Sequence, residues 1–316
     1  MSQALLNRKV SLAQSNAIPN ILSIDLEEWD QLAYRRFTGR FPPPSQSIFR
    51  QMDSLLELLD AEKVKATFFA LGSLAERHPD LIRRLASQGH EIASHGYAHL
   101  IVDRLSPEQF RDDTLRSKKL LEDITGARII GYRAAEFSIR TKSLWALEVL
   151  AELGFHYDSS IFPIRHRRYG IPGFSPRVQT YRLPNNLRIA EFPPASLRIA
   201  GLNLPIAGGG YFRFAFMGLL NHAVERLNRD SIPFTTYFHP YEFDPKKLDV
   251  FAAASPTGWK QNLQFLQFNF HQNLRRRTLP AKIVQLLRSY PFTTFKDFLQ
   301  KANLSDSPTL LHATRN

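Results

Sequence analysis

Gly89-His90-Glu91-Ile92-Ala93-Ser94-His95-Gly96-Tyr97-Ala98-His99 is the stretch on which the reading of the fold turns. Residues 79–87 ahead of it read as a helix, and Gly89 is the residue type that ends helices in the left-handed conformation. Residues 90–94 are then a short strand, and two imidazoles four residues apart follow it directly. A strand that ends in side chains able to grip one ion is how α/β barrels build their sites. A histidine pair at this spacing also arises by chance on helical surfaces, so its meaning depends on its company.

That company is regular in both directions. Upstream, residues 20–26 form an apolar strand closed by the acidic cluster Asp25-Leu26-Glu27-Glu28. Residues 47–62 place Ile48, Met52, Leu55, Leu56 and Leu59 at helical spacing, and 65–71 return as a strand. Downstream, Ser106-Pro107-Glu108-Gln109 is a capping box with proline at the first helical position, opening a helix that runs to Gly126. Strands follow at 129–132 and 155–157, separated by a helix over 141–153. From residue 165 the pattern loosens, and prolines at 172, 176, 184, 193, 194 and 205 with Gly208-Gly209-Gly210 mark a long irregular insertion. Residues 216–228 resume as a helix and 233–238 as a strand that delivers His239. Residues 244–290 are basic, aromatic and helical, and 291–299 hold a last short strand and helix. The alternation predicts an α/β fold, a distorted (β/α) barrel forming one domain over 20–300 with a helical C-terminal extension. Residues 1–19 are an N-terminal extension and 301–316 a disordered tail on this reading.

Bulk properties narrow the chemistry. With 316 residues, 43% of them hydrophobic, the chain can bury a sizeable core. It has no cysteine, which excludes disulfides and thiolate ligands and leaves His, Asp and Glu to hold any metal. Residues 10–20 are too polar for a signal-peptide core and no apolar run is long enough to cross a bilayer, so the expected location is the cytoplasm or the inner membrane face. The net charge of +12 is clustered at Arg35-Arg36, at Arg165 with Arg167-Arg168, and at Arg275-Arg276-Arg277. No zinc-finger, helix-turn-helix or RNP pattern accompanies it, which argues against specific nucleic-acid binding. An acidic polysaccharide or an anionic membrane surface remains as a partner for that charge.

The candidate chemical groups all fall at strand ends. Asp25 with Glu27 or Glu28 follows the first strand, His95 and His99 the third, Arg133 the fourth, Asp158 the fifth, and His239 a late one. Carboxylate, imidazole and imidazole directed to a common point are the inventory of a hydrolytic divalent-metal site.

At this point the chain resembles the polysaccharide deacetylases of the NodB homology type, carbohydrate esterase family 4. The resemblance rests on Asp25-Leu26-Glu27-Glu28-Trp29, Ala66-Thr67-Phe68-Phe69, the block from Gly89 to His99, Gly131-Tyr132-Arg133-Ala134, Tyr157-Asp158-Ser159-Ser160 and Phe238-His239-Pro240. Gly208-Gly209-Gly210-Tyr211-Phe212-Arg213 and Tyr237-Phe238-His239-Pro240-Tyr241-Glu242 resemble the subgroup linked to exosortase and exopolysaccharide loci. The family implies one divalent metal, usually zinc, held by His95, His99 and an acidic residue, with Glu27 preferred and Glu28 as the alternative. It further implies Asp25 as general base, His239 as general acid, Arg133 orienting Asp25 and Asp158 keeping His239 protonated. Tyr211, Arg213 and Trp29 are the expected sugar contacts.

The chain departs from the family pattern in three ways. Leu26 stands where a second aspartate is usual, so a longer glutamate has to serve as the acidic ligand. Ala135-Glu136 replaces the usual proline and small residue after the third motif, which adds a charge beside the cleft. No secretion signal accompanies what is elsewhere a cell-wall activity. The expected function is removal of N-acetyl groups from N-acetylhexosamines of an exopolysaccharide or its lipid-linked precursor. An allantoinase-like amidohydrolase and a metal-free saccharide-binding protein are the rival readings.

Overall fold

The structure, a computed structural model, describes residues 18–29, 37, 46–199, 201–253, 255–302 and 306–307. The expected extension over 1–19 lies outside the described residues except for 18–19, and the expected tail over 301–316 except for 301–302 and 306–307. The elements are β1 Asn20–Leu26, α1 Ser47–Ala61, β2 Thr67–Ala70, α2 Gly72–Arg77, α3 Pro79–Ser87, β3 Glu91–Ser94, α4 Pro107–Thr125, β4 Gly131–Tyr132, α5 Trp145–Glu152 and β5 Tyr157–Asp158. They continue with β6 Gln179–Arg182, β7 Arg188–Glu191, β8 Ser196–Ile199, β9 Leu202–Pro205, α6 Met217–Arg229, β10 Thr235–Phe238, α7 Trp259–Asn273, α8 Leu279–Ser289, β11 Phe292–Thr293 and α9 Phe295–Lys301.

Parallel strands run in the order β10-β1-β2-β3-β4-β5-β7, and β6 adds antiparallel to β7. The sheet curls as a barrel does, but its ladder does not close. Between β7 and β10 the chain instead supplies single bonds, Ala195 N to Thr235 O at 2.9 Å and Tyr237 N to Ala207 O at 3.1 Å. The segment after residue 165 thus corrects the sequence reading, since it holds strands β6 and β7 and the hairpin β8–β9 rather than irregular chain alone. These strands are four residues each. Runs that short, interrupted by proline, give too few alternations to be read as strands. Helix signals were far better legible: the Ser106 capping box forms in both directions, and Gly89, Gly126 and Gly154 take φ of 81°, 66° and 79°.

Alternation along the strands sorts the interior. On β1, Leu22, Ile24 and Leu26 face the helices, while Ile21, Ser23 and Asp25 face inward. At the base of the interior Ile21, Phe69, Ala93, Tyr157, Ala190 and Phe192 pack against Phe295 and Phe298 of α9, which plugs the bottom. One layer up sits Arg133, and above it the inward residues at the strand ends are Asp25, His95 and His239. The period of two therefore carries the chain from apolar plug through buried cation to polar site in three steps.

Candidate metal centre and catalytic cleft

Glu27, His95 and His99 bring one ligand atom each to within 4.8 Å of the others, and all three are buried. His99 Nε2 lies 2.9 Å from Glu27 Oε2, and His95 Nε2 lies 3.8 Å from the same oxygen. That oxygen is buried with no hydrogen bond among the described residues, which leaves it a lone pair suited to a cation. His95 Nδ1 sits 2.8 Å from the carbonyl of Arg133, so this nitrogen carries the proton and donates. Its Nε2 is left with a lone pair facing the cluster, the usual arrangement of a metal-ligating histidine. Burial pushes His95 below the ordinary imidazole range, against the pull of Asp25 and Glu27, which keeps it neutral and able to coordinate. Burial pushes Glu27 up, but His99 and His239 outweigh it and hold the carboxylate well below its usual range. These residues fit a divalent cation.

Local geometry explains why the histidines arrive there. His99 has φ of +52°, uncommon for any residue but glycine, and Gly96 has φ of +74°. The turn is held by Asp113 of α4, which accepts from Tyr97 N at 2.8 Å and Ala98 N at 3.1 Å. A Cβ on Gly96 would stand 2.9 Å from Asp113 Oδ2, so the glycine serves both the dihedral and the approach.

Arg133 is fully buried and its donors are spent on the interior: Nη1 to Asp25 Oδ1 at 2.7 Å and Ser23 Oγ at 2.8 Å, Nη2 to Ser159 Oγ at 2.9 Å, Nε to Ser159 O at 3.1 Å. Its guanidinium lies 4.0 Å above the Phe69 ring. Asp25 is thereby fixed at the cleft wall.

His239 Nε2 meets Glu27 Oε1 at 3.2 Å, and its Nδ1 lies 3.6 Å from Glu242. Glu242 also accepts from His239 N at 3.0 Å. Burial lowers the pKa of His239; the oxygen of Tyr241 and the carboxylates of Glu242 and Glu27 reverse this and raise it well above the imidazole range. The expectation that Asp158 pairs with His239 is corrected. Tyr157 points into the interior, so its neighbour Asp158 points to the other side of the sheet, away from the cleft. There Asp158 lies directly across the ladder from Glu191. Glu242 instead lies beside His239, and the spacing His239-Pro240-Tyr241-Glu242, which puts an acid three residues after a cap, is the feature that could have indicated it.

The cleft above these groups measures about 520 Å³ and is walled by Trp29, Glu136, Arg168, Tyr169, Tyr241 and Phe268 among others. Trp29 is thus brought to the cleft as the sequence suggested, with its ring against Phe268. Tyr211 and Arg213 are not. Tyr211 stands one residue behind, its hydroxyl 3.0 Å from that of Tyr169. Arg213 is turned to the end of α7, donating to His271 O at 3.1 Å and Gln272 O at 2.8 Å, where unpaired helical carbonyls attract a cation. Gly208 and Gly209 allow this packing, since a Cβ on them would stand 2.3 Å from the Tyr237 ring and 2.1 Å from Glu242. Glu136 lines the cleft as expected, while Arg168 and Tyr169 are lining residues that the sequence did not place there. Glu28 points elsewhere and pairs with Arg77 of α2.

The buried pair Asp158 and Glu191 makes a prediction of its own. Burial pushes Asp158 up to about 6, and burial with the charge of Asp158 pushes Glu191 well above the usual range. In the unfolded chain both ionise near pH 4. The folded state therefore holds protons the unfolded state has released, and stability falls as pH rises from about 4 through the folded values. Glu191→Gln keeps an acceptor for Ile161 N, now 2.9 Å from Glu191 Oε1, and removes the second acid. It is expected to raise the thermal midpoint at pH 8 by roughly 1–2 °C, the shift about 1 kcal/mol produces in a chain of this length, and to leave it nearly unchanged at pH 4. Equal shifts at both pH values would refute the excess proton uptake of the folded pair.

Comparisons with known proteins agree with the architecture. Residues 50–157 match the family model described as Polysaccharide deacetylase, and residues 159–300 match the Domain of unknown function DUF3473. The peptidoglycan-N-acetylglucosamine deacetylase of Bacillus cereus is 33% identical over 72 residues, which is 23% of this chain and 26% of that protein. The chitooligosaccharide deacetylase of Bradyrhizobium sp. is 29% identical over 99 residues, 31% and 45% of the two chains. The peptidoglycan deacetylase of Helicobacter pylori is 34% identical over 109 residues, 34% and 36%. The chain thus spans between about a quarter and under half of these relatives' own lengths. A solved Mycobacterium smegmatis structure ascribed to a polysaccharide deacetylase superposes with a TM-score of 0.57 at 18% identity, covering 92% of this chain and 96% of that one, and so shares the fold. Over residues 50–157, about a third of the chain, the sequence is thus similar to the polysaccharide deacetylases.

Proposed function

We propose that this protein is a metal-dependent N-deacetylase acting on N-acetylhexosamine units of an exopolysaccharide or of its lipid-linked precursor. The observation that carries this reading is the convergence of Glu27, His95 and His99 beside an arginine-held Asp25 and His239 in one cleft. Glu27, His95 and His99 would hold one divalent cation, zinc being the expected one, which when bound polarises an acetyl carbonyl and acidifies a water. Asp25, kept in place by Arg133, takes the proton of the attacking water. His239 gives a proton to the departing amine, and Glu242 fixes the ring for that task. Trp29 and Tyr169 offer flat faces to a sugar ring, and Arg168 and Glu136 offer charges to its substituents. That relatives act on peptidoglycan and chitooligosaccharides supports an N-acetylated sugar, and the match of residues 159–300 is compatible with the exosortase-linked subgroup.

Acetate release from N-acetylglucosamine oligomers is the test. Asp25→Asn retains an oxygen for Arg133 but gives up its counter-charge, so the variant, shown to be folded by its thermal midpoint, should lose about 10²–10⁴-fold in rate for want of a base. Full activity in that variant, or activity on cyclic amides with none on sugars, would sink the proposal.

A further inference from the structure

Helix α7 carries two apolar faces. Phe265 is buried and Phe268 reaches the cleft beside Trp29. Trp259, Leu263, Leu266 and Phe270, at spacings of four, three and four, are instead 74%, 49%, 54% and 62% exposed. At about 100° per residue these four fall within an arc of about 60°, roughly opposite Phe265 and Phe268. Arg213 ties its own turn to the end of this helix, and exposed Phe214 and Phe216 follow it there. Six large apolar side chains at one margin of the cleft make an exposed stripe that a monomer in water does not need.

The surrounding charge says what it fits. Residues 245–290 hold eight basic residues, at 246, 247, 260, 275, 276, 277, 282 and 288, against the single acid Asp249. Lys246, Lys247, Lys260, Arg275 and Arg277 are exposed. Lys260 lies over the Trp259 ring with its Nζ 5.6 Å from the centroid. No acidic residue occurs within α7. A helix with tryptophan, leucine and phenylalanine on one face and cations around it is the form that lies in the headgroup layer of an anionic bilayer. A second copy of the chain is disfavoured by a net charge of +12 on each partner. We infer that α7 and the adjoining Phe214–Phe216 turn dock this protein on an anionic lipid surface, with the cleft opening beside the contact. The inference does not depend on the chemistry in the cleft.

Flotation with vesicles tests it on the full chain. The protein should float with vesicles of phosphatidylcholine mixed with phosphatidylglycerol, less with phosphatidylcholine alone, and less in high salt. Trp259 emission should shift to the blue on binding and be quenched by brominated acyl chains. The combined variant Trp259→Ser, Leu263→Ser, Leu266→Ser, Phe270→Ser replaces only exposed side chains, so its thermal midpoint and its activity on a soluble oligomer should stay unchanged while vesicle partition falls about tenfold or more. Three outcomes would overturn the inference: no binding of the parent to anionic vesicles, equal binding of the folded variant, or a parent dimer that the four substitutions turn into a monomer.

Discussion

Glu27→Gln is expected to empty the metal centre while Glu28→Gln leaves it loaded. Both glutamates are buried, and they differ by one position in a loop that continues an inward-facing strand end. Glu27 faces His95, His99 and His239, whereas Glu28 faces Arg77 of α2 and His78 just after it. Loss of a residue that merely orients a ligand costs about 10–100-fold in metal affinity, so loss of a ligand itself is expected to cost about 100-fold or more. Elemental analysis after dialysis should give close to one ion per chain for the parent and for Glu28→Gln, and little for Glu27→Gln. Acetate release should follow the metal content. Glu28→Gln gives up a buried ion pair and should show its cost in thermal stability instead. A reversed pattern would assign the ligand to Glu28.

Arg133→Leu should destabilise the fold more than any other single change at the cleft. The guanidinium is fully buried and makes four bonds to Ser23, Asp25 and Ser159. Removing one partner of a buried pair leaves the other charge uncompensated, at a typical cost of about 3–5 kcal/mol. Here the stranded group is Asp25, so Asp25→Asn introduced into Arg133→Leu should recover part of the loss, although the same substitution in the parent should cost stability by leaving the buried guanidinium without its counter-charge. Urea unfolding of the four proteins gives the coupling directly. Additive effects would mean that Arg133 stabilises through packing on Phe69 and not through Asp25.

Much of this site was legible because strand ends and imidazole spacing follow from short-range rules. Asp25, Glu27, His95, Arg133 and His239 sit within a residue of a strand terminus, His99 follows one by five, and parallel strands in one sheet bring their C-terminal ends to one face. The helix starts and stops were equally local, set by a capping box and by glycines that tolerate positive φ. Strand extent was less so: the fourth and fifth strands shrink to Gly131–Tyr132 and Tyr157–Asp158, because pairing depends on neighbours distant in sequence.

Composition and order of residues determined the alternation of strand and helix, the absence of thiolate ligands and the set of groups able to hold an ion. Only the tertiary structure decided which way each side chain faced. Glu27 was separated from Glu28, and Asp158 from His239, by a rotation of the backbone through one residue, and that parity is fixed by which face of the curled sheet is buried. Arg213 was withdrawn from the cleft by the carbonyls at the end of a helix more than fifty residues away, and Glu242 was admitted by Gly209, which has no side chain to exclude it. The exposed stripe of α7 belongs to the same class: its apolar spacing was written in the chain, but that it faced outward followed only from Phe265 and Phe268 having already claimed the inside.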